Sequence, residues 1–228
     1  MRFQILIIFN FNENILLFFT SFCCSNLLFA QSNFNAGFLP KIVVSKKLSN
    51  KNIWVNSLES RTFILDDNNE FSHSLVDISS IISIKTDFEQ SFNFGYILRF
   101  RDDKTIHRIF QHYNFVSQLT SIKIAHRIAF EQFYQSKRQT IFRTRYRFTL
   151  EKPLSGERVD IKEFYLKLGN ELLYDFTDLK IRITPYLGYQ ISKKDRIEFG
   201  LDYRLGEFIK NNTQNDLWFR TTWYISLN

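Results

Sequence analysis

The chain is poor in the residues that interrupt or cross-link a fold. Its 228 residues include 7 glycines, 3 prolines and 2 cysteines. Glycine and proline together make up about 4%, against roughly 12% in average usage, which excludes a collagenous, low-complexity or linker-rich protein. Both cysteines, Cys23 and Cys24, lie in the first 31 residues. If that segment is removed on export, the remaining 197 residues (228 less 31) hold none. A disulfide framework, a thiolate metal site and a cysteine nucleophile are then excluded. No apolar run reaches the ~20 residues of a membrane-spanning helix. Disorder is excluded by a hydrophobic content of 44% with 23% charged residues. What the chain has in abundance is aromatic: 26 Phe, 10 Tyr and 3 Trp, 17% of the total. Aromatic side chains favour strands and membrane interfaces. The formal charge is +7.

The N-terminus reads as an export signal. Arg2 supplies a positive start, Ile15-Leu16-Leu17-Phe18-Phe19 an apolar run, and Leu27-Leu28-Phe29-Ala30 a small residue before Gln31. Residues 1–31 are therefore expected to be a signal peptide and residues 32–228 one exported domain. Thr20, Ser21, Ser25 and Asn26 break the run and argue against a membrane anchor. Phe22 precedes Cys23 where a lipoprotein signal would place a small residue, which argues against a lipid anchor. Glu13 with Asn10, Asn12 and Asn14 is unusual in such a segment and points to a later start or a long signal.

Beyond this segment the chain alternates with period two. Ile122, Ile124, Ile128, Phe130 and Tyr134 share one parity, and Lys123, Arg127 and Glu131 take the other. Phe142, Tyr146, Phe148 and Leu150 alternate with Arg143, Arg145, Arg147 and Glu151. Phe164, Leu166, Leu168 and Leu172 alternate with Glu163, Lys167 and Glu171. Ile181, Ile183, Leu187, Tyr189 and Ile191 alternate with Lys180, Arg182, Thr184 and Gln190. Ile197, Phe199, Leu201, Tyr203 and Leu205 alternate with Arg196, Glu198, Asp202 and Arg204. Leu217, Phe219, Trp223, Ile225 and Leu227 share one face of the last segment. Residues 92–101 set Phe92, Phe94, Tyr96, Leu98 and Phe100 against Asn93, Gly95, Arg99 and Arg101, whereas 70–86 and 105–118 are mixed. Strand side chains point alternately to opposite faces, so these segments are strands with one apolar and one charged face.

Polar clusters separate the segments, among them Asp66-Asp67-Asn68-Asn69, Asp102-Asp103, Thr120, Pro153-Leu154-Ser155-Gly156 and Ser192-Lys193-Lys194-Asp195. Such clusters form turns. They cut the exported chain into about eleven strands. Bacterial single-chain barrels have even strand numbers, so the expected architecture is an all-β antiparallel up-and-down transmembrane barrel of 10 or 12 strands. A soluble sandwich or barrel also alternates, with its faces reversed relative to water. Three features favour the membrane. Each strand and turn takes about 18 residues, whereas soluble strands usually run ~5–6. The apolar face is large and aromatic. The chain ends in an aromatic strand that includes Trp218, Trp223 and Tyr224.

Several segments carry a family resemblance: Gly95 to Arg101, Ala125-His126-Arg127, Phe142 to Arg147, Glu163 to Leu168, and Leu187-Gly188-Tyr189 leading to Glu198 through Arg204. From about Gly37 onward the chain resembles the domain of unknown function 2490, a family of exported Bacteroidetes proteins. The resemblance implies an outer-membrane β-barrel-like protein of a Gram-negative cell. It carries no known activity and no catalytic residues.

The candidate site is the charged face. Lys123, Arg127, Glu131, Arg143, Arg145, Arg147, Glu163, Lys167, Glu171, Arg182, Arg196, Glu198, Asp202 and Arg204 are expected to form a paired-charge network in the lumen. Such a network would hold a small barrel shut, or offer arginine forks to anionic solutes or lipid headgroups. The expected function is non-enzymatic, structural or tied to narrow solute passage, in contact with outer-membrane lipid. Two alternatives stand beside it: a lipid-acting hydrolase or acyltransferase built on His126 with serine and asparagine partners such as Asn170, and a soluble exported barrel binding a small ligand. Nucleic acid is not an expected partner, because basic residues alternate along strands instead of clustering. His73, His107, His112 and His126 show no metal-ligand spacing, and no phosphate loop or dinucleotide motif appears, so no metal or cofactor is expected.

Overall fold

The computed structural model describes residues 34–65, 71–207, 209 and 213–227. The expected export signal lies outside the described residues. Among them are eleven strands: β1 (Phe34–Lys47), β2 (Asn52–Leu65), β3 (Ser72–Lys85), β4 (Gln90–Arg101), β5 (Lys104–Leu119), β6 (Ile122–Gln135), β7 (Ile141–Pro153), β8 (Glu163–Tyr174), β9 (Leu179–Gln190), β10 (Asp195–Gly206) and β11 (Gln214–Ser226). Consecutive strands pair antiparallel, and β1 meets β11 to close a barrel.

The expectation of ten or twelve strands is overturned. An up-and-down ring with an odd count leaves its first and last strands pointing the same way, so its seam is parallel. Phe34 through Ser45 run in register with Asn215 through Ser226. Parallel ladders are slightly weaker per residue, but they satisfy the backbone of both edges. Even numbering is a regularity of bacterial barrels and not a condition of closure. The odd count also puts the start of β1 and the end of β11 at opposite mouths, here termed the N mouth and the C mouth.

Following the ladder from Lys47 through Ile53, Ser83, Asn93, His112, Ala129, Arg145, Leu173 and Lys180, and extending the β9–β10 and β11–β1 registers by one residue through Gly206 and Gln214, leads to the position before Phe34. The slide is fourteen residues (47 less 33). Strands in such a barrel tilt by about 40°. With strands ~4.8 Å apart, the backbone ring is roughly 20 Å across, narrow enough for long side chains to fill.

The apolar parity faces outward on every strand that alternates cleanly. Ile128, Phe130, Phe142, Tyr146, Leu166, Leu168, Leu187, Phe199 and Phe219 are exposed, whereas Glu131, Glu171, Glu198 and Asp202 are buried inside the ring. The mixed segments now have faces. On β3, Leu75, Asp77, Ser79 and Ile81 point inward and Ile78, Ser80 and Ile82 outward; on β5, Arg108, Phe110, His112 and Asn114 point inward. Their periodicity was diluted because the inner wall there carries apolar groups while Ser80 and Gln111 sit outside.

Turn chemistry fits the sequence. The two-residue turns begin at Asp102 (φ 51°) and Thr120 (φ 42°). A primed hairpin turn needs positive φ there, and aspartate tolerates it well. Two prolines lie inside strands, and near each the ladder is interrupted: Pro40 between the pairs Phe38–Thr62 and Lys41–Glu59, and Pro185 between Tyr186–Gly200 and Ile183–Tyr203. Proline has no N–H to contribute to the ladder. Inside the ring, Phe110 lies across Gly95 and Tyr165 across Gly188, so that a methyl at either glycine would collide with the ring. These are cross-strand neighbours, and the bare glycine gives the aromatic ring a flat seat.

The parallel seam can be tested directly. With no cysteine beyond position 24, the outward-facing pair Val44→Cys and Ile225→Cys, opposite each other across the seam, is expected to form a disulfide in the folded protein. The check is altered mobility on a non-reducing gel. Absence of the cross-link in a folded barrel would show that the ring closes otherwise.

Candidate functional site

The lumen is organised around carboxylates that each gather several cations. Glu131 on β6 is fully buried. Arg108 from β5 donates to it, as do Arg143 (Nε, 2.6 Å) and Arg145 (Nη2, 3.1 Å) from β7. Arg145 also reaches Glu171 on β8 at 3.2 Å, where Arg147 (2.9 Å) and Arg182 (3.3 Å) converge. Arg145 thus links two carboxylates on different strands. Phe133 supports this cluster: the guanidinium of Arg143 lies 4.5 Å and that of Arg108 5.2 Å from its ring centre. Aromatic faces attract cations and stabilise charge density that carboxylates alone do not balance.

A second cluster crosses the seam. Arg220 on β11 bonds Asp202 on β10 at 3.3 Å and lies 3.7 Å from Glu59 on β2, bridging over β1. Arg204 holds Asp202 with two hydrogen bonds, 2.9 and 2.7 Å. Arg61 (2.6 Å) and Lys41 (3.3 Å) hold Glu59. Arg99 grips Asp77 through two hydrogen bonds, at 2.7 and 2.6 Å. Forked two-point contacts of this kind are the stronger class of ion pair.

The third cluster lies nearer the C mouth. Glu198 accepts from Lys167 (2.8 Å), the Tyr165 hydroxyl (2.8 Å) and the Tyr224 hydroxyl (3.2 Å). Lys167 and Tyr165 reach it from β8 across β9, where Gly188 leaves the space. Glu151 meets Lys123 at 3.5 Å and Arg196 at 3.9 Å.

The two mouths differ. Toward the N mouth, Leu39, Leu75, Leu173 and Trp218 are buried inside the ring, and Phe63 packs against Trp218 with centroids 4.7 Å apart. Asp178, in the β8–β9 turn, accepts from the backbone N–H groups of Glu207 (2.7 Å) and Ile209 (3.2 Å) and ties two loops together there. A cavity of about 510 Å³ runs along the lumen, from Arg61, Arg99, Arg143 and Arg204 on the N-mouth side to Lys123, Glu151 and Arg196 on the C-mouth side. A second space of about 450 Å³ under the β7–β8 loop shares Lys123, Glu151 and Arg196 with it.

Fourteen lysine and arginine side chains line the larger cavity, against three carboxylates, Glu59, Asp77 and Glu151. Counting the buried Glu131, Glu171, Glu198 and Asp202 brings the acids to seven. Among the described residues around this cavity, the cations therefore outnumber these acids by seven (fourteen less seven). Four of the acids, Glu131, Glu171, Glu198 and Asp202, lie behind the cations, whereas Glu59, Asp77 and Glu151 reach the cavity wall.

Of the residues singled out from the sequence, the structure brings Lys123, Glu131, Arg143, Arg145, Arg147, Lys167, Glu171, Arg182, Arg196, Glu198, Asp202 and Arg204 into these ion pairs. Arg127 faces the lumen and donates to Asn114 Oδ1 at 2.8 Å. Glu163 differs. Standing at the start of β8, it accepts from the backbone N–H groups of Ser155 (2.8 Å) and Asp160 (2.7 Å) and organises the loop instead of pairing in the lumen. Sequence reasoning missed Lys41, Glu59, Arg61, Asp77, Arg108 and Arg220. On β2 the signal was weak because Ser60 and Thr62 occupy the outward parity, so Glu59 and Arg61 did not stand against an apolar face. His126 faces outward between Phe115 and Phe148, and its Nδ1 lies 2.8 Å from the Tyr146 hydroxyl. Its partner is thus a tyrosine. Asn170, one strand further, stands opposite Phe148 in the ladder.

The family described as Protein of unknown function (DUF2490) matches residues 36–225, almost the whole barrel. The chain belongs to this family. No curated protein and no solved structure matches it.

Removing a carboxylate strands its cations, so burial sets the cost. Glu131→Gln leaves Arg108 and Arg143 without a carboxylate and removes one of the two that Arg145 bridges, and is expected to destabilise the barrel by about 3 kcal/mol or more. Glu151→Gln, whose partner Lys123 is substantially exposed, should cost under about 1 kcal/mol. Urea unfolding of the two variants against the parent measures the difference.

Proposed function

We propose that this protein is a non-enzymatic outer-membrane β-barrel whose lumen is closed at one end by packed side chains and open as a charged vestibule at the other. The observation that carries this reading is the inversion of the usual soluble pattern. Residues that water would reject, such as Ile128 (61% exposed) and Phe199 (53%), cover the outside. Residues that water would welcome, such as Glu131 and Glu198, have no exposure at all. Lipid makes that arrangement favourable, because the apolar band meets hydrocarbon and the charges stay with their partners. Strands of 12 to 16 residues exceed the ~9–11 that a tilted strand needs to span a bilayer. The closed ladder leaves no backbone edge facing lipid.

The paired charges and the buried N-mouth residues suit a scaffold or a solute-holding barrel better than a wide diffusion pore. In porin-scale barrels of 16 or more strands the ring is wide enough to leave an aqueous channel, whereas here side chains occupy most of the lumen and leave a cavity of small-molecule size.

Two measurements test the reading. Cell fractionation is expected to recover the protein with the outer membrane, in detergent-dependent form, with a gel mobility that changes on boiling. Release by osmotic shock without detergent would overturn it. Independently, Ile128→Arg places a charge mid-strand on the outward face. In a bilayer it should cost roughly 2–4 kcal/mol and reduce assembled protein in the membrane. In a water-soluble barrel the same change would be close to neutral, and that outcome would also reject the proposal.

A further inference from the structure

The vestibule has two unlike walls. On β1 to β4 it is lined by Val43, Val55, Ile81 and Ile97, with Val55 and Ile81 direct cross-strand partners. The side formed by β6 to β10 presents Arg127, Arg147, Lys167 and Arg196. These four aliphatic side chains form an apolar patch beside Ser57, Ser79 and the paired charges of Lys41, Glu59, Arg61, Asp77 and Arg99 on the same strands, and the patch and the cationic wall face a single space of about 510 Å³. That volume is within the range of sites for small organic molecules, ~300–1,000 Å³.

The cationic wall is incompletely balanced. Arg127 and Arg147 stand directly opposite in the β6–β7 ladder. Like charges in that relation repel. Arg147 is offset by Glu171 at 2.9 Å. Arg127 has its Nε hydrogen bond to Asn114, and among the described residues no carboxylate lies within ion-pair distance of it. Beside them His112, buried and stacked 4.3 Å from Phe110, lines the same cavity, and its Nε2 has no hydrogen-bond partner. A forked guanidinium at the cavity wall, with a buried and unpartnered imidazole nitrogen on a residue of the same lining, suits an oxyanion.

We propose that the vestibule binds a small amphipathic organic anion, its phosphate or carboxylate held between Arg127, Arg147 and His112 and its apolar body laid against Val55, Ile81 and Ile97. The anion relieves the Arg127–Arg147 repulsion, and the aliphatic wall gives a reason to prefer an organic anion over an inorganic one. The inference rests on the lumen alone and not on membrane placement, so the fractionation result and this one stand or fall separately.

The test is calorimetric titration of the purified protein, in zwitterionic-lipid nanodiscs or in buffer if it proves soluble, with empty nanodiscs as reference. Three probes are compared: 1-naphthyl phosphate, inorganic phosphate and 1-naphthol. Saturable binding of naphthyl phosphate is expected, at least tenfold tighter than either of the others. Arg127→Gln should weaken it about tenfold, and Ile81→Ser several-fold, with folding checked by the gel shift on boiling. Arg127→Gln strands no carboxylate, which favours its folding, and the three-probe comparison on the parent protein decides the question even if a variant fails. Equal affinity for inorganic phosphate would reduce the site to a charge sink and overturn the proposal. Equal affinity for naphthol, absence of naphthyl phosphate binding, or indifference to Arg127→Gln in a folded variant would overturn it as well.

Discussion

The structure depends on the ladder between β1 and β11. A sheet of eleven strands, each apolar on one side and charged on the other, has no stable open form in water or in lipid, since its two edges would expose a row of unpaired N–H and C=O groups. Twelve residue pairs along the seam remove both edges. Closure fixes the ring size, and the ring size fixes how far a side chain must reach to meet one from another strand. That is why Arg220 can cross over β1 to Glu59 and Lys167 over β9 to Glu198. In an open sheet these residues would be separated by an intervening strand with nothing to bring them together.

Much of this was legible in the sequence, and the reasons differ by strand. On β6 to β10 the inward parity is occupied by full charges and the outward parity by large apolar groups, so period two announced both the strand and its faces. Arg143, Arg145 and Arg147 could be set against Glu131 and Glu171 from spacing alone, because hairpin neighbours must share a register. On β2, β3 and β5 the inward wall contains Val55, Ile81 and Phe110 and the outward wall Ser60, Ser80 and Gln111. Contrast between the faces fades, and Glu59, Asp77 and Arg108 were lost with it. The turn clusters divide the exported chain into about eleven strands, and only the even-number regularity of bacterial barrels argues for ten or twelve. The local signal was the better guide, since nothing in strand geometry forbids a parallel seam. Glu163 shows a different limit: parity says which face a residue takes, but at a strand end the nearest backbone N–H groups compete for its carboxylate. The seam-crossing contacts of Arg220 were not readable at all, because they depend on which strands meet when the ring closes.

A charged lumen also specifies the barrel. If it were filled with apolar groups, both faces of each strand would be apolar, and slipping a strand by one residue would exchange one hydrophobic set for another. With Glu131, Arg145 and Glu171 inside, a one-residue slip would drive charges outward and isoleucines inward on the whole strand. The cost of that error is far larger than the net worth of any single pair, because an uncompensated buried charge costs several kcal/mol while a paired one roughly breaks even. The ion pairs therefore matter less as attraction than as a penalty on every other register.

That argument accounts for balanced pairs and not for the surplus of cations. Specifying the register requires each buried acid to be matched, and seven acids need about seven partners. The additional arginines and lysines repel one another across a confined space of low effective dielectric, where Coulomb terms are stronger than in water. They line the cavity, and four of the seven acids lie behind them, so the net field they produce is directed into the cavity. Aromatic faces such as Phe133, and Tyr224 beneath Arg196 at 4.4 Å, soften part of the repulsion. Among the described residues, Arg127, facing Arg147, has no such ring and no carboxylate within ion-pair distance. An unpaired charge that works against stability beyond what register requires is best explained by what enters the cavity, and the aliphatic patch in the same lining narrows that visitor to an anion with an apolar side.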